Sequence, residues 1–278
     1  MSSYEDYSTA SGFYDVTRRA VGLEVILGCL AASGRPLAEL CVVDAGCGTG
    51  NYAQALLEHV GRVEAVDLNE GMLEVAKAKL GDALAAGRVR LHRASIDALP
   101  LEPASADAAV INQVLHHLPD DAASGWPFTR RVMQELARVL KPGGVLTINT
   151  CSHLQLREGS WYTAVIPQAM QDMLDRHVPL EVLAELLSDS GFSVQGRIVP
   201  LDVILQGEHY LDGLGPTREE WRRGDSVWAR VDEPTLNAVI EKLKTLHARG
   251  ELEQFVERSD ARRTQVGQFT FVHAVRAE

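Results

Sequence analysis

Basic residues are in short supply: 27 lysines and arginines stand against 38 aspartates and glutamates, a formal net charge of −11. That balance repels a phosphate backbone unless a local patch overrides it, so nucleic acid is not the partner class to expect. Cysteine is scarce too. Cys29, Cys41, Cys47 and Cys151 are scattered without a C-x-x-C pair, which argues against a disulfide framework and reads as reduced thiols in the cytoplasm. No run of about 18 apolar residues is present, so no membrane-spanning helix is expected. The opening Met1-Ser2-Ser3-Tyr4-Glu5-Asp6 is polar and acidic, unlike a secretory signal. Repeats, low-complexity tracts and metal-ligand spacings are absent as well. What remains is an ordinary apolar fraction, 46% of 278 residues, enough for one enlarged domain or a domain with a large insertion.

Hydrophobic rhythm divides the chain. Residues 1–15 are rich in Tyr, Ser and Asp and read as an arm. From Val16 to Leu30 the spacing of Val16, Ala20, Leu23, Ile26, Leu27 and Leu30 is helical. Short apolar runs then alternate with helical patterns. Strands are expected at Leu40–Ala45, Arg62–Asp67, Arg88–His92, Ala106–Asn112 and Gly144–Thr150, and helices at Tyr52–Val60, Glu70–Leu80 and Phe128–Leu140. Such alternation means βαβ units, a mostly parallel sheet covered on both faces, and a doubly wound α/β fold. After Thr150 it loosens. A short helix at Leu180–Leu187, a strand at Phe192–Leu201, helical patterns within 205–265 and a closing strand over 267–276 are expected. The stretch between the last two strands is too long and too apolar for a loop and reads as a helical cap.

The chemistry concentrates in Val42-Val43-Asp44-Ala45-Gly46-Cys47-Gly48-Thr49-Gly50. A strand enters a turn whose glycines tolerate positive φ and let a ligand approach the backbone, and a helix leaves it. Asp67 ends the next strand, where a carboxylate can accept both hydroxyls of a ribose. The dinucleotide fingerprint G-x-G-x-x-G needs glycine at position 51, which is Asn51. Asp44 ahead of the glycines would repel a pyrophosphate and suit a cationic ligand instead. A ribonucleoside carrying an amino acid and a positive sulfur satisfies that charge logic; NAD does not.

Several ordered motifs extend the pattern: Asp67-Leu68-Asn69-Glu70-Gly71-Met72-Leu73, Ala98-Leu99-Pro100, Asn112-Gln113-Val114-Leu115-His116-His117-Leu118 and Leu140-Lys141-Pro142-Gly143-Gly144. With the glycine turn they resemble the class I S-adenosylmethionine-dependent methyltransferases over about residues 10–150, most closely the small-molecule enzymes related to the quinone-biosynthesis C-methyltransferases. The resemblance implies a seven-stranded Rossmann-like sheet whose last strand, Phe269–Val275, runs antiparallel. It implies S-adenosyl-L-methionine as cofactor and S-adenosyl-L-homocysteine as product. Gly46, Cys47, Gly48 and Gly50 would run under the methionine moiety with Asp44 beside them, and Asp67 would bind the ribose. Leu68 and Met72 would pack on the adenine. Ala94-Ser95-Ile96 stands where the family carries a polar pair, so Ser95, with Ile96 behind it, takes the place of an Asp near the adenine amino group. Asn112 would contact the cofactor side from its strand end.

The sulfonium already activates its methyl group, so such a protein mainly aligns a nucleophile and excludes water. His116 and His117, after the fourth strand, are candidates for a general base or a substrate orienter. Tyr14, in Phe13-Tyr14-Asp15, completes the catalytic candidates as part of an N-terminal lid. No metal is expected. The resulting map has an arm and helix over 1–30, an S-adenosylmethionine-binding core over 31–204, a helical cap over 205–265 and the final core strand over 266–278. The acceptor expected is a small molecule, sizeable and partly apolar, such as a secondary metabolite; nucleic acid and membrane are not expected, the location is cytoplasmic, and a homodimer is left open. A cyclase or isomerase that binds the cofactor without transferring the methyl group shares every motif and is the alternative.

Overall fold

The structure is a computed structural model and describes residues 20–278. Among them seven strands form one sheet: β1 Cys41–Ala45, β2 Arg62–Asp67, β3 Val89–Arg93, β4 Ala106–Asn112, β5 Leu140–Thr150, β6 Phe192–Ile198 and β7 Thr270–Arg276. The helices are α1 Leu23–Ala31, α2 Asn51–Leu56, α3 Glu70–Lys79, α4 Gly81–Ala85, α5 Pro127–Val139 and α6 His153–Glu158 in the first part. They continue with α7 Pro167–Arg176, α8 Leu180–Asp189, α9 Glu219–Arg222, α10 Glu233–Ala248, α11 Leu252–Asp260 and α12 Arg263–Val266. The strand order is β3-β2-β1-β4-β5-β7-β6. β1 to β5 pair in parallel, and β7 runs antiparallel between β5 and β6. This is the doubly wound, mostly parallel sheet expected, with its reversed last strand.

The apolar runs work because both faces are covered. Val42, Val110, Val145 and Phe271 face one layer of the core, while Val43, Ala109, Leu146 and Val272 face the other, the two-residue period of a pleated strand. α5 shows why its sequence is a helix. Pro127 sits in the first turn, where no amide partner is needed, and Val132, Met133, Leu136 and Val139 are all buried. Asn69 starts α3 by accepting from the Met72 amide at 3.1 Å, and Asp232 starts α10 by accepting from the Thr235 amide at 2.7 Å. Several boundaries differ from the reading of periodicity, and two of them have a visible cause. β5 begins at Leu140 because Ala106 pairs with Leu140 before the Lys141–Gly144 irregularity, and β6 stops at Ile198, ahead of Pro200.

Beyond Thr150, the segments other than β6, β7 and α8 build a cap on the α1 face. Trp161, Tyr162, Tyr210, Trp228, Val239 and Leu243 are buried in the same core layer as Val42 and Phe271. Trp161 ties the segments together: its amide donates to the Tyr210 hydroxyl at 3.0 Å and its indole N–H to the Tyr210 carbonyl at 2.6 Å. The Tyr210 hydroxyl in turn donates to Asp260, which pairs with Arg263 at 2.9 Å. Truncating the fully buried Trp161 to alanine should therefore cost about 3–5 kcal/mol.

Candidate functional site

The carboxyl ends of β1, β2 and β4 converge at the glycine turn. Gly46 has φ +83°, and a Cβ there would lie 2.5 Å from the Val114 side chain. Gly48 has φ +52° but nothing within 4 Å of a Cβ, so its bare face opens onto free space. The amides of Gly46 and Cys47 donate to the Val66 carbonyl at 2.8 and 3.0 Å, which bolts the turn to β2. The Gly48 and Asn69 amides donate to the two carboxylate oxygens of Asp67, both at 2.8 Å. Asp67 is thereby aimed across the turn. Burial raises its carboxyl above the usual range, and the amides oppose the shift.

Asp44 closes the base of the turn. It is 1% exposed, and its Oδ2 has no hydrogen-bond partner. Burial first, and the neighbouring Asp67 charge second, push its carboxyl up to about 7, although the Ala53 amide pulls the other way. On the adjacent strand end, Asn112 Nδ2 is also buried without a partner. Two unsatisfied polar atoms at neighbouring strand ends are costly in a finished core and ordinary in a site that awaits a polar ligand.

Three connected spaces surround these groups. A cleft of about 650 Å³ is lined by Gly46, Gly48, Asp67, Leu68, Met72, Ser95, Ile96 and Asn112, eight of the eleven residues expected at the cofactor. Leu68 stands 51% exposed there, an apolar surface with nothing on it. Ser95 donates its hydroxyl to Asp97, which leaves its oxygen free to accept. Asp44 and Cys47 line an adjoining hollow of about 60 Å³ together with Asn112. Gly50 lines neither space; it starts α2 at φ +82°, packed against Leu80 and Ala76. Burial raises the Cys47 thiol far above the range in which it reacts.

The two candidate histidines lie ring to ring, centroids 4.0 Å apart, yet line different spaces. His117 lines the cleft, whereas His116 lines a third, inner cavity of about 70 Å³ between the sheet and the cap. Tyr14 lies outside the described residues. The inner cavity is also lined by side chains that the sequence did not single out, among them His177, Tyr162 and Asp225. His116 stacks on His177, ring centroids 4.5 Å apart and 12° from parallel. Gln113 borders all three spaces and adopts φ +56°, a strained conformation for a side chain of its size. Its position directly after Asn112 was the available signal; His177 has no comparable one, because it reaches the site through the cap. Among the described residues no group of three or more His, Cys, Asp or Glu is arranged to hold a metal.

Comparison with known proteins agrees with this geometry. Residues 43–148 match the family model of a methyltransferase domain. An uncharacterised methyltransferase of Mycobacterium bovis is 34% identical over 127 residues, 46% of this chain and 58% of that protein. A demethylmenaquinone methyltransferase of Lactococcus lactis is 37% identical over 120 residues, 42% of this chain and 44% of that one. The chain thus spans about half the length of the curated relatives it matches. The fold extends further: a crystal structure from Anabaena variabilis, described as a methyltransferase of an antibiotic biosynthesis pathway, superposes over 90% of this chain and 95% of its own. Its TM-score is 0.69 at 19% identity. Residues 43–148 thus match a methyltransferase domain, and the fold of nearly the whole chain is one that a methyltransferase of known structure shares.

Proposed function

We propose that the chain binds S-adenosylmethionine in the large cleft and methylates a small molecule presented from the cap side. The observation that carries this reading is the Asp44 carboxylate, buried with one oxygen unpartnered and close enough to Asp67 to feel its charge. A buried acid with a half-buried acid beside it disfavours a pyrophosphate and favours a ligand that brings positive charge. The residues present fit the cofactor: Asp44 for its ammonium, Asp67 for the ribose hydroxyls, Leu68 and Met72 for the adenine face, and Ser95 for the adenine amino group. Gly48 has no side chain to fill the space the ligand needs. The bound cofactor would supply a methyl group already activated by a positive sulfur.

The chain's own residues then have three tasks. The glycine turn and Asp67 fix the donor. The cap, with Tyr162 and Trp228 buried, excludes water, which matters because charge is dispersed as the methyl group moves. His116, in the inner cavity, orients the acceptor or takes its proton where the acceptor carries one at neutral pH. A net charge of −11 supports a small-molecule acceptor rather than nucleic acid. The reading includes a cytoplasmic location, where the four cysteines, all buried and free, stay reduced. No helix among the described residues is long and apolar enough to cross a membrane.

The test is a screen of small-molecule acceptors with methyl-labelled cofactor, read by mass. A labelled product heavier by one methylene supports transfer. An isomerised product of unchanged mass, with the cofactor intact, would contradict it and support the cyclase alternative.

A further inference from the structure

Most hydrogen-bond donors around the inner cavity are turned away from it. The Gln113 amide donates to Asn149 Oδ1 at 2.9 Å. Gln206 Nε2 donates to the Tyr162 oxygen at 2.6 Å and to Asp225 Oδ2 at 2.9 Å. The Tyr162 hydroxyl donates to the Asp225 carboxylate at 2.5 Å, so its proton is not offered to the cavity. Gln155 Nε2 donates to the carbonyls of Val266 and Phe269, both at 3.0 Å. The Cys151 thiol points to Gln113 Oε1 at 3.7 Å. Neither lysine nor arginine lines the space; Arg230 acts on His177 only from outside it. One Gln113 amide hydrogen and the Ser226 hydroxyl remain at the lining; the Gln155, Gln206, phenol and thiol donors are committed elsewhere, and the lining carries no cation to set beside its acceptors.

His177 provides the best-defined of these acceptors. It is 2% exposed, and its Nδ1 lies 2.8 Å from the Met173 carbonyl. A carbonyl only accepts, so the proton sits on Nδ1 and the lone pair on Nε2. The His177 carbonyl is itself held by His153 Nε2–H at 2.8 Å, which anchors the residue from a second side. Nε2 has no partner among the described residues. Burial pushes the imidazole down to about 4, so at neutral pH the ring keeps that lone pair. The stacked His116 face fixes the ring plane.

We propose that the inner cavity receives the hydrogen-bond-donating end of the acceptor, an uncharged hydroxyl or amine N–H bound by His177 Nε2, and that it rejects carboxylates and phosphates. The proposal rests on the methyltransferase reading only for what the bound group is there to do. A volume of about 70 Å³ has room for a handful of water-sized groups. It accommodates the reacting end of an acceptor, and any larger body lies outside it. An anion would find the Asp225 carboxylate and the His177 lone pair facing it, with neither a lysine nor an arginine in the lining to compensate. His177 is thus a specificity-determining residue, and His116 beside it shares the same group.

The test compares 1-propanol with propionate, four and five heavy atoms of opposite character, as probes of full-length protein saturated with S-adenosylhomocysteine. Nitrogen NMR of the histidine side chains reads the result at the atom concerned. Propanol should shift the His177 Nε2 resonance while propionate leaves it unmoved. His177→Phe keeps a flat ring against His116 and removes the lone pair; it should weaken propanol binding by about fivefold while S-adenosylhomocysteine affinity and melting temperature stay close to wild type. An unmoved His177 resonance with propanol, an equal shift with propionate, or a Phe variant with unchanged propanol affinity each overturns the proposal. The wild-type resonance decides the question even where the variant fails to fold. Failure of wild type to bind S-adenosylhomocysteine overturns the cofactor reading instead, and the propanol comparison still stands without it.

Discussion

The contact proposed between Asp44 and the ammonium makes cofactor binding a titration. Its carboxyl is lifted from the usual 3.8 to about 7, a penalty on the charged form of about 4 kcal/mol. With that value the ligand-free site is protonated in about nine molecules in ten at pH 6 and about one in ten at pH 8. A ligand whose ammonium needs the carboxylate must expel the proton. S-adenosylhomocysteine affinity should therefore rise about tenfold from pH 6 to pH 8, with about one proton released per site at pH 6 and almost none at pH 8. Titration calorimetry in two buffers of different ionisation enthalpy measures both quantities. Asp67 is raised in the same direction and adds to the release, so Asp44→Asn is the control: it should bind weakly and lose most of the pH dependence. The raised value also sets the sign of the stability effect. The ligand-free fold holds this proton more tightly than the unfolded chain, so the stabilisation is complete below 3.8 and is lost as pH rises through about 7. Flat affinity between pH 6 and 8 without proton release would refute the assignment of Asp44 to the ammonium.

Three substitutions separate the roles within the site. Asp67→Ala should weaken S-adenosylhomocysteine binding by about tenfold or more; unchanged affinity in a calorimetric titration would remove Asp67 from the ribose. Gly46→Ala drives a Cβ to 2.5 Å from Val114 at φ +83° and should lower stability by about 1–3 kcal/mol. Gly48→Ala meets open space and should cost only about 1 kcal/mol of left-handed strain while losing more affinity than stability, which chemical denaturation and ligand titration read side by side. His116→Ala should reduce turnover more than cofactor affinity, and full activity on an identified acceptor would refute its catalytic role.

Most of the sheet was legible from local pattern because it is buried on both faces. Arg62–Asp67 and Ala106–Asn112 were bounded correctly from their apolar runs alone. The residues lining the large cleft were legible for a related reason: they sit on the turns that leave β1, β2, β3 and β4, each fixed by its own strand. The acceptor side was not. Trp161, Tyr162 and Asp225 come together only through the packing of segments some 60 residues apart, and aromatic spacing within one segment resembles ordinary core. His177 looked like another buried cap residue. What sets it apart is the Met173 carbonyl that fixes its tautomer, a tertiary fact with no signature in the string of letters. The same limit separated His116 from His117: neighbours on the short turn at Leu115–His117, with ring centroids 4.0 Å apart, they line different spaces.

Everything proposed for this site depends on the glycine turn and its two acids selecting a cationic sulfonium nucleoside. Calorimetric titration of one preparation with S-adenosylhomocysteine, S-adenosylmethionine and NAD puts that selection to a direct trial. Binding in the micromolar range, about −8 kcal/mol, is expected for the first two and none for NAD. Binding of NAD alone would contradict the assignment, because a pyrophosphate would then lie beside the Asp44 carboxylate that should hold an ammonium.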